Sequence, residues 1–315
     1  MLEFTIKRLL GTIPVLLGIL VIAFVVLFMI PGDPAATLAG PRADQETIQR
    51  MAHEMGLNQP LPERFMRYLD RTVRGDLGVS MVTDRPVLRS ILEKFPYTLR
   101  LALLGLTISV LSGLLAGVFS ALLRGTIWDR IITGISVAGI STPIFLTGLA
   151  FLYLFAMKLR WFPTSAYGSH NLFLVLFLPA LTLGIRSGAF LARITRSTLI
   201  EVFNEEYIRT ARAKGLSSKR ILFRHALLNA LIPIITVVAL DFSSFLNGSV
   251  IVETIFELPG LGRFTMDAIL KRDYPVIQGV VLFSALIFVG INLIVDLLYA
   301  WINPRIRDEM LKGAS

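Results

Sequence analysis

Long apolar runs without charge dominate the pattern of this chain. Residues 9–30, 101–123, 131–157 and 275–295 contain no charged side chain. About 20 apolar residues cross a bilayer as a helix, and an uncharged stretch of 18 or more is a spanning candidate. Two further runs carry one charge each: residues 172–192 hold Arg186, and residues 231–252 hold Asp241. The pattern predicts six spanning helices in an all-α integral membrane protein. The first run follows Lys7 and Arg8 but exceeds the about 7–15 residues of a signal-peptide core, so it reads as an uncleaved anchor.

Between the first two runs the pattern changes to short amphipathic repeats. Asp44 can cap a helix on which Ile48, Met51 and Met55 recur, with Gly56 to end it. Phe65, Leu69 and Val73 repeat that spacing, and residues 87–95 form a third short candidate. The expectation is a small helical cap over residues 31–96, outside the membrane.

Composition agrees. Hydrophobic residues make up 54% and charged residues 17%, against about 45–50% and about 25% in soluble proteins. That excludes a soluble enzyme, a disordered chain and a fibrous repeat. With 0 Cys there is no disulfide framework, thiolate nucleophile, cysteine zinc site or cysteine-ligated cluster.

A net charge of +9 suits nucleic acid or an anionic membrane surface, and its distribution decides. Arg193, Arg196, Arg209, Arg212, Lys214, Lys219, Arg220 and Arg224 crowd the loop at residues 193–225, opposed by Glu201, Glu205 and Glu206. The positive-inside rule makes this loop cytoplasmic, together with Lys7 and Arg8, the turn at residues 124–130 and the tail at 305–315. Both termini are then cytoplasmic and the basic residues face anionic headgroups. A nucleic-acid partner is not needed. The expected organisation is a first helix within residues 1–30, the outer cap at 31–96, a transmembrane core at 97–304 and the tail.

Catalytic and metal chemistry find no support. His53, His170 and His225 stand far apart, and no histidine pair has ligand spacing. A phosphate-cradling GxxxxGK[ST] is missing, as are a G-x-S-x-G elbow and a metalloprotease pair. The chain is expected to be no enzyme, to hold no metal and no cofactor, and not to bind ATP itself.

The basic loop contains one well-marked short helix. Glu205 and Glu206 open it, Arg212 and Lys214 close it, and Gly215 ends it, as the helix dipole favours. Tyr207, Thr210 or Ala211, and Lys214 fall on one face, where small residues would let a partner approach. Periodicity alone leaves two readings, a docking lever or a solvated loop that only sets topology.

The residues Tyr207-x-x-Thr210-Ala211-Arg212-Ala213-Lys214-Gly215, followed by Arg224-His225-Ala226-Leu227-x-Asn229-Ala230-x-Ile232-Pro233, resemble the EAA-type cytoplasmic loop of binding-protein-dependent ABC importer permeases. The likeness is to the dipeptide/oligopeptide/nickel branch. Arg209 stands where many families have Glu, and Thr210-Ala211 replace an Ala pair. Matching pieces run in order along nearly the whole chain. They are Pro31-Gly32-Asp33-Pro34, Gly56-Leu57-x-x-Pro60-Leu61, Gly75-Asp76-Leu77-Gly78-x-Ser80, Pro259-Gly260-Leu261-Gly262-Arg263, Arg272-Asp273-Tyr274-Pro275-Val276 and Asn303-Pro304-Arg305-Ile306-Arg307.

The resemblance implies a type I ABC importer permease fold in a bacterial or archaeal inner membrane. It implies a homologous second permease subunit, two ATPase subunits that carry ATP and Mg, and an extracytoplasmic substrate-binding protein. Glu206, Tyr207, Arg209, Thr210, Ala211, Arg212, Lys214 and Gly215 would form the helix that couples to the ATPases. Pro259, Gly260, Gly262, Arg263 and Asp273 would close the outer side. The implied cargo is short peptides, glutathione included, with nickel or a nickel chelate as the alternative.

Charges within the apolar runs are the other candidates, because they are costly there. Asp241 is either part of a translocation path or a structural carboxylate paired to a neighbouring helix. Ser141 and Thr142, before Pro143, either line the path or mark a packing kink; Asn247 is the fourth path candidate. Arg186 and Asp296 either pair or snorkel to the interface. Gly105, Ser109, Gly113, Gly117 and Ala121 form a ridge of small residues for close helix packing. An ion-coupled secondary transporter would rest on Asp241 alone and would leave the basic helix without a task. An intramembrane protease would need a dyad that Asp241 and Asp296, at different depths, do not form.

Overall fold

The computed structural model describes residues 2–29, 35–36, 43–54, 58–165, 171–246 and 249–302. Met55, Gly56, Asn247, residues 31–34 and residues 303–315 lie outside the described residues. The helices in chain order are α1 (Leu2–Met29), α2 (Gln45–Glu54), α3 (Leu61–Val73), α4 (Val87–Leu122), α5 (Ile127–Ser141) and α6 (Ile144–Phe151). They continue with α7 (Leu172–Phe203), α8 (Glu206–Ala213), α9 (Ser218–Ile221), α10 (Leu227–Leu246), α11 (Val250–Ile255), α12 (Leu261–Lys271) and α13 (Tyr274–Ile302). Wider π-helical turns prolong α6 over Leu152–Lys158 and join α9 to α10 over Leu222–Ala226.

Among the described residues five helical stretches are long and apolar enough to cross a membrane: Arg8–Val25 within α1, α4, α7, the Ser218–Leu246 rod and Tyr274–Leu297 within α13. The third predicted span differs from a single rod. α5 and α6 pass that test only together, and they are bent by 100°. Pro143 has no N–H to donate, and its ring pushes the preceding residue out of the helical region. Thr142 accordingly sits at φ −76°, ψ 126°.

The short helix predicted at residues 87–95 is also not separate. It is the first part of α4, a continuous helix of 36 residues with Pro96 inside. The proline removes only its own bond to the carbonyl one turn back. At 1.5 Å per residue α4 is about 54 Å long, well beyond a hydrocarbon core of about 30 Å.

By internal contacts the chain divides into two compact units, Met1–Pro96 with Gly260–Ser315, and Tyr97–Pro259. In the first, α1 packs along α13. Arg8 and Asp296 pair at 3.0 Å, and the Gln278 amide donates to the Ala23 carbonyl. Phe24 of α1 meets Phe65 and Tyr68 of α3. The inward stripe of α3 thus runs through Phe65 and Tyr68, and Val73, expected on it, is 79% exposed. A small core of Val87, Ile91, Leu261, Ala268, Val276, Ile277 and Val280 holds the start of α4 against α12 and α13.

In the second unit α7 is central, packed by α5, α6 and α10. The small-residue ridge of α4 meets α7 of the same chain. A Cβ placed on Gly113 would stand 2.8 Å from the Gly188 carbonyl, and one on Gly184 would stand 2.8 Å from the Gly105 carbonyl. Glu253 is wholly buried in α11. There it accepts the Thr98 hydroxyl at 2.8 Å.

Candidate functional site

The best-marked candidate surface is built on α8. Glu206 in its first turn and Arg212 in its last suit the helix dipole. Its end is closed by two bonds, from the Leu216 amide to the Ala211 carbonyl (3.3 Å) and from the Gly215 amide to Arg212 (2.9 Å). Such a closure needs a left-handed residue, and Gly215 has φ 75°. Ile208 and Ala211, three apart, turn into a buried cluster with Leu199, Val202, Ile221 and Leu222, and Leu216 packs on it. The helix is seated on α7 and α9.

The opposite face presents Glu206, Tyr207, Arg209, Thr210, Arg212 and Lys214 to solvent. Ala211, expected beside Tyr207 on the exposed face, is instead 6% exposed and belongs to the seat. Spacing alone allowed Ala211 to share a face with Tyr207, and the inward pull of Ile208 decides otherwise. Tyr207 is held from behind by a hydrogen bond with Asn229, while partial burial and the Glu205 carboxylate push its phenol above the usual tyrosine range.

Gly215 gives the first expected result. No atom would meet a Cβ there, so only the backbone resists substitution. Gly215→Val should cost about 1–2 kcal/mol for the left-handed conformation, and Gly215→Asn less, because Asn tolerates it. Transport should fall in the same order while both variants remain inserted, as checked by uptake normalised to membrane-embedded protein.

Beside this seat lies a buried cluster that sequence reasoning missed. Asp129 is 4% exposed. Its carboxylate accepts the Ser120 hydroxyl (2.6 Å), the Gly125 amide (2.9 Å) and both Arg196 Nε (2.7 Å) and Nη2 (2.9 Å). Four donors on two oxygens satisfy a buried carboxylate. The cluster ties the end of α4 and the start of α5 to α7. In the charge count Asp129 was one acid in a basic turn. The pattern Thr126-x-x-Asp129 could have found it, since Thr126 Oγ1 caps the Asp129 amide.

A cavity of about 440 Å³ opens at the bend between α5 and α6. Ile140 and Ile144 line it from either side of the break, Arg186 and Ser187 from α7, and Asp241 from α10. Asp241 Oδ2 and Ser249 Oγ, both at this cavity, have no hydrogen-bond partner among the described residues. Ser141 and Thr142 are exposed and not part of the lining; the Thr142 hydroxyl turns back onto the Ala138 carbonyl at 2.8 Å. Asn247 lies outside the described residues. Of the three path candidates among the described residues, Asp241 reaches the cavity and Ser141 and Thr142 do not. Asp296 pairs with Arg8, leaving Arg186 to the cavity.

The outer candidates separate. Pro259 ends the second unit, and Gly260, Gly262, Arg263 and Asp273 lie in the first. There Asp273, 3% exposed, accepts the Ser80 hydroxyl at 2.5 Å and the Met81 amide at 3.1 Å. It thereby pins the turn before α4 to the end of α12. Gly262 is buried at the start of α12. Among the described residues no group of three metal-ligating side chains comes together.

Residues 113–308 match the family described as binding-protein-dependent transport system inner membrane component. Residues 1–102 match its N-terminal counterpart. The chain is 44% identical over 307 residues to the glutathione transport system permease protein GsiC of Escherichia coli (strain K12), covering 98% of this chain and 99% of that one. The same protein of Shigella dysenteriae serotype 1 (strain Sd197) matches equally, at 44% over 307 residues. Among solved structures the inward-facing MetNI methionine ABC transporter aligns with a TM-score of 0.57 at 16% identity, covering 68% of this chain and 96% of that chain. An amino acid ABC transporter with histidines aligns at 0.51 and 19%, covering 67% and 92%. At these identities the structures speak for the fold alone.

Proposed function

From the premise that the chain belongs to the family of binding-protein-dependent transport system inner membrane components, we propose that it forms half of the translocation pathway of an ATP-driven importer of short peptides, glutathione included. A homologous second permease completes the pathway. Two ATPase subunits supply ATP hydrolysis with Mg, and an extracytoplasmic binding protein delivers the substrate. The termini and α8 face the cytoplasm, where the basic residues of the 193–225 loop lie against anionic headgroups.

The exposed face of α8, with Tyr207, Arg209, Thr210 and Lys214, docks on an ATPase subunit. Closure of the ATPases moves α8, and its seat on α7 and α9 passes that movement to the spanning helices. The Asp129–Arg196 cluster makes α4, α5 and α7 move together at this end. Gly260, Gly262, Arg263 and Asp273 serve the outer closure, where Asp273 holds the Ser80 turn. The observation that carries the reading is the likeness over nearly the whole chain to glutathione permease proteins, at 44% identity.

Uptake of labelled glutathione and a labelled dipeptide, in cells with and without the gene and with excess nickel as competitor, tests the cargo. Loss of uptake on deletion, indifferent to nickel, is the expected result. Unchanged peptide uptake together with lost nickel accumulation would replace the peptide reading by a nickel importer.

A further inference from the structure

The cavity at the α5–α6 bend holds two unlike charges on different helices, Asp241 on α10 and Arg186 on α7. Both lie in stretches apolar enough to span a membrane, where an ionised side chain is costly and its retention points to a ligand, a pathway or a partner. Asp241 accepts a hydrogen bond from the Ser187 side chain on α7, and that bond leaves one carboxylate oxygen over. Asp241 Oδ2 is buried and has no hydrogen-bond partner among the described residues, and neither has the Ser249 hydroxyl oxygen in the same lining. Buried polar groups are nearly always satisfied, so two unsatisfied acceptors in one lining mark a place for a donor that arrives from outside. Arg186 is near enough to act on the Asp241 charge, yet no ion pair joins them within 4 Å among those formed by the described residues. The remainder of the lining is largely apolar, with Ile140, Ile144 and Phe190. A cavity of about 440 Å³ lies in the range of small-molecule sites, about 300–1,000 Å³.

A carboxylate oxygen that lacks a donor and a guanidinium with no ion pair among the described residues, in a largely apolar lining, match a zwitterion. We infer that this cavity is a substrate-recognition site of the permease itself, in which Asp241 takes the free ammonium group of a short peptide and Arg186 takes a carboxylate. The inference rests on the peptide-importer reading and deepens it by naming the two ends that are read. Each end makes a charge-assisted hydrogen bond. A blocked end loses that bond and leaves a charged group of the protein unpaired in a low-dielectric wall. The site therefore selects unblocked peptides after the binding protein has released them.

The test uses the assembled permease–ATPase complex in lipid nanodiscs without binding protein, and the direct binding of labelled glutathione, its N-acetyl derivative and its glycyl amide. Wild type is expected to bind glutathione about 10- to 100-fold more tightly than either blocked form, the ratio set by one charge-assisted bond. Asp241→Asn should abolish the penalty for N-acetylation and keep the penalty for the amide. Arg186→Gln should do the reverse. A variant that merely misfolds would weaken all three ligands alike, and Asp241→Glu, which keeps the charge, should restore the preference for the free amine.

Equal weakening of all three ligands by Asp241→Asn, unchanged discrimination in both variants, or no binding by wild type would each overturn the inference. A parallel measurement keeps this apart from the functional reading. ATPase activity stimulated by binding protein loaded with glutathione supports the importer reading whether or not the cavity discriminates. Absence of that stimulation sinks the importer reading for this substrate.

Discussion

Arg196→Met is expected to destabilise the protein by about 3–5 kcal/mol, the cost of leaving one partner of a buried ion pair without the other. Asp129 would remain buried with only the Ser120 hydroxyl and the Gly125 amide on its oxygens. The pair Arg196→Met with Asp129→Leu should recover most of that loss, because it removes the buried charge together with its partner. The measurement is thermal unfolding of the detergent-solubilised protein, followed by the fluorescence of its 3 tryptophans. Equal stability of the single variant and the wild type would show that the cluster is solvated and exerts no hold on α4, α5 and α7. Transport has its own expected outcome. The double variant should fold yet import poorly, since the apolar pair restores stability without the directional bonds that tie the three helices together.

Gly117→Leu should have the other large effect. A Cβ on Gly117 would stand 2.6 Å from the Thr195 Cβ and 2.7 Å from the Ala192 carbonyl. Neither neighbour is the loose end of a flexible side chain. The same approach recurs at Gly113 and Gly184, so α4 and α7 cannot part at one point without parting along the whole crossing. Overpacking in a close-packed interior costs about 1–3 kcal/mol, and a leucine against backbone belongs at or beyond the top of that range. Gly134→Leu is the control, because nothing lies within 4 Å of a Cβ there. The expected result is a sharp fall in monodisperse, membrane-extracted protein for Gly117→Leu and none for Gly134→Leu. Similar yields for the two would contradict the packing.

What the sequence made legible follows the physics of each element. The spanning helices could be read because charge is excluded from them over a length the bilayer sets. The α8 helix could be read because its caps, its charges and Gly215 are local. The bend at Thr142–Pro143 was visible as an interruption, but its size of 100° depends on what α5 and α6 pack against. Residues 87–95 were read as separate because the uncharged run begins only at residue 101, and the Pro96 between them leaves the helix continuous. Ala211 and Asp129 show the remaining gap. Which face of an amphipathic helix turns inward, and which acid finds a partner 67 positions away, are tertiary facts. Asp241 was marked by its cost, and its open oxygen emerged only with the cavity around it.

Engagement of an ATPase subunit by α8 can be tested directly, because the chain has 0 Cys and a single introduced thiol reports its own surroundings. Thr210→Cys on the exposed face of α8 and Val82→Cys in the Ser80 turn would each carry a photoactivatable benzophenone maleimide in the assembled complex. Photolysis is predicted to join the Thr210→Cys chain to an ATPase subunit and to leave the Val82→Cys chain unattached to it. A fully labelled Thr210→Cys chain that yields no ATPase adduct, in a complex shown to be intact, would contradict the account.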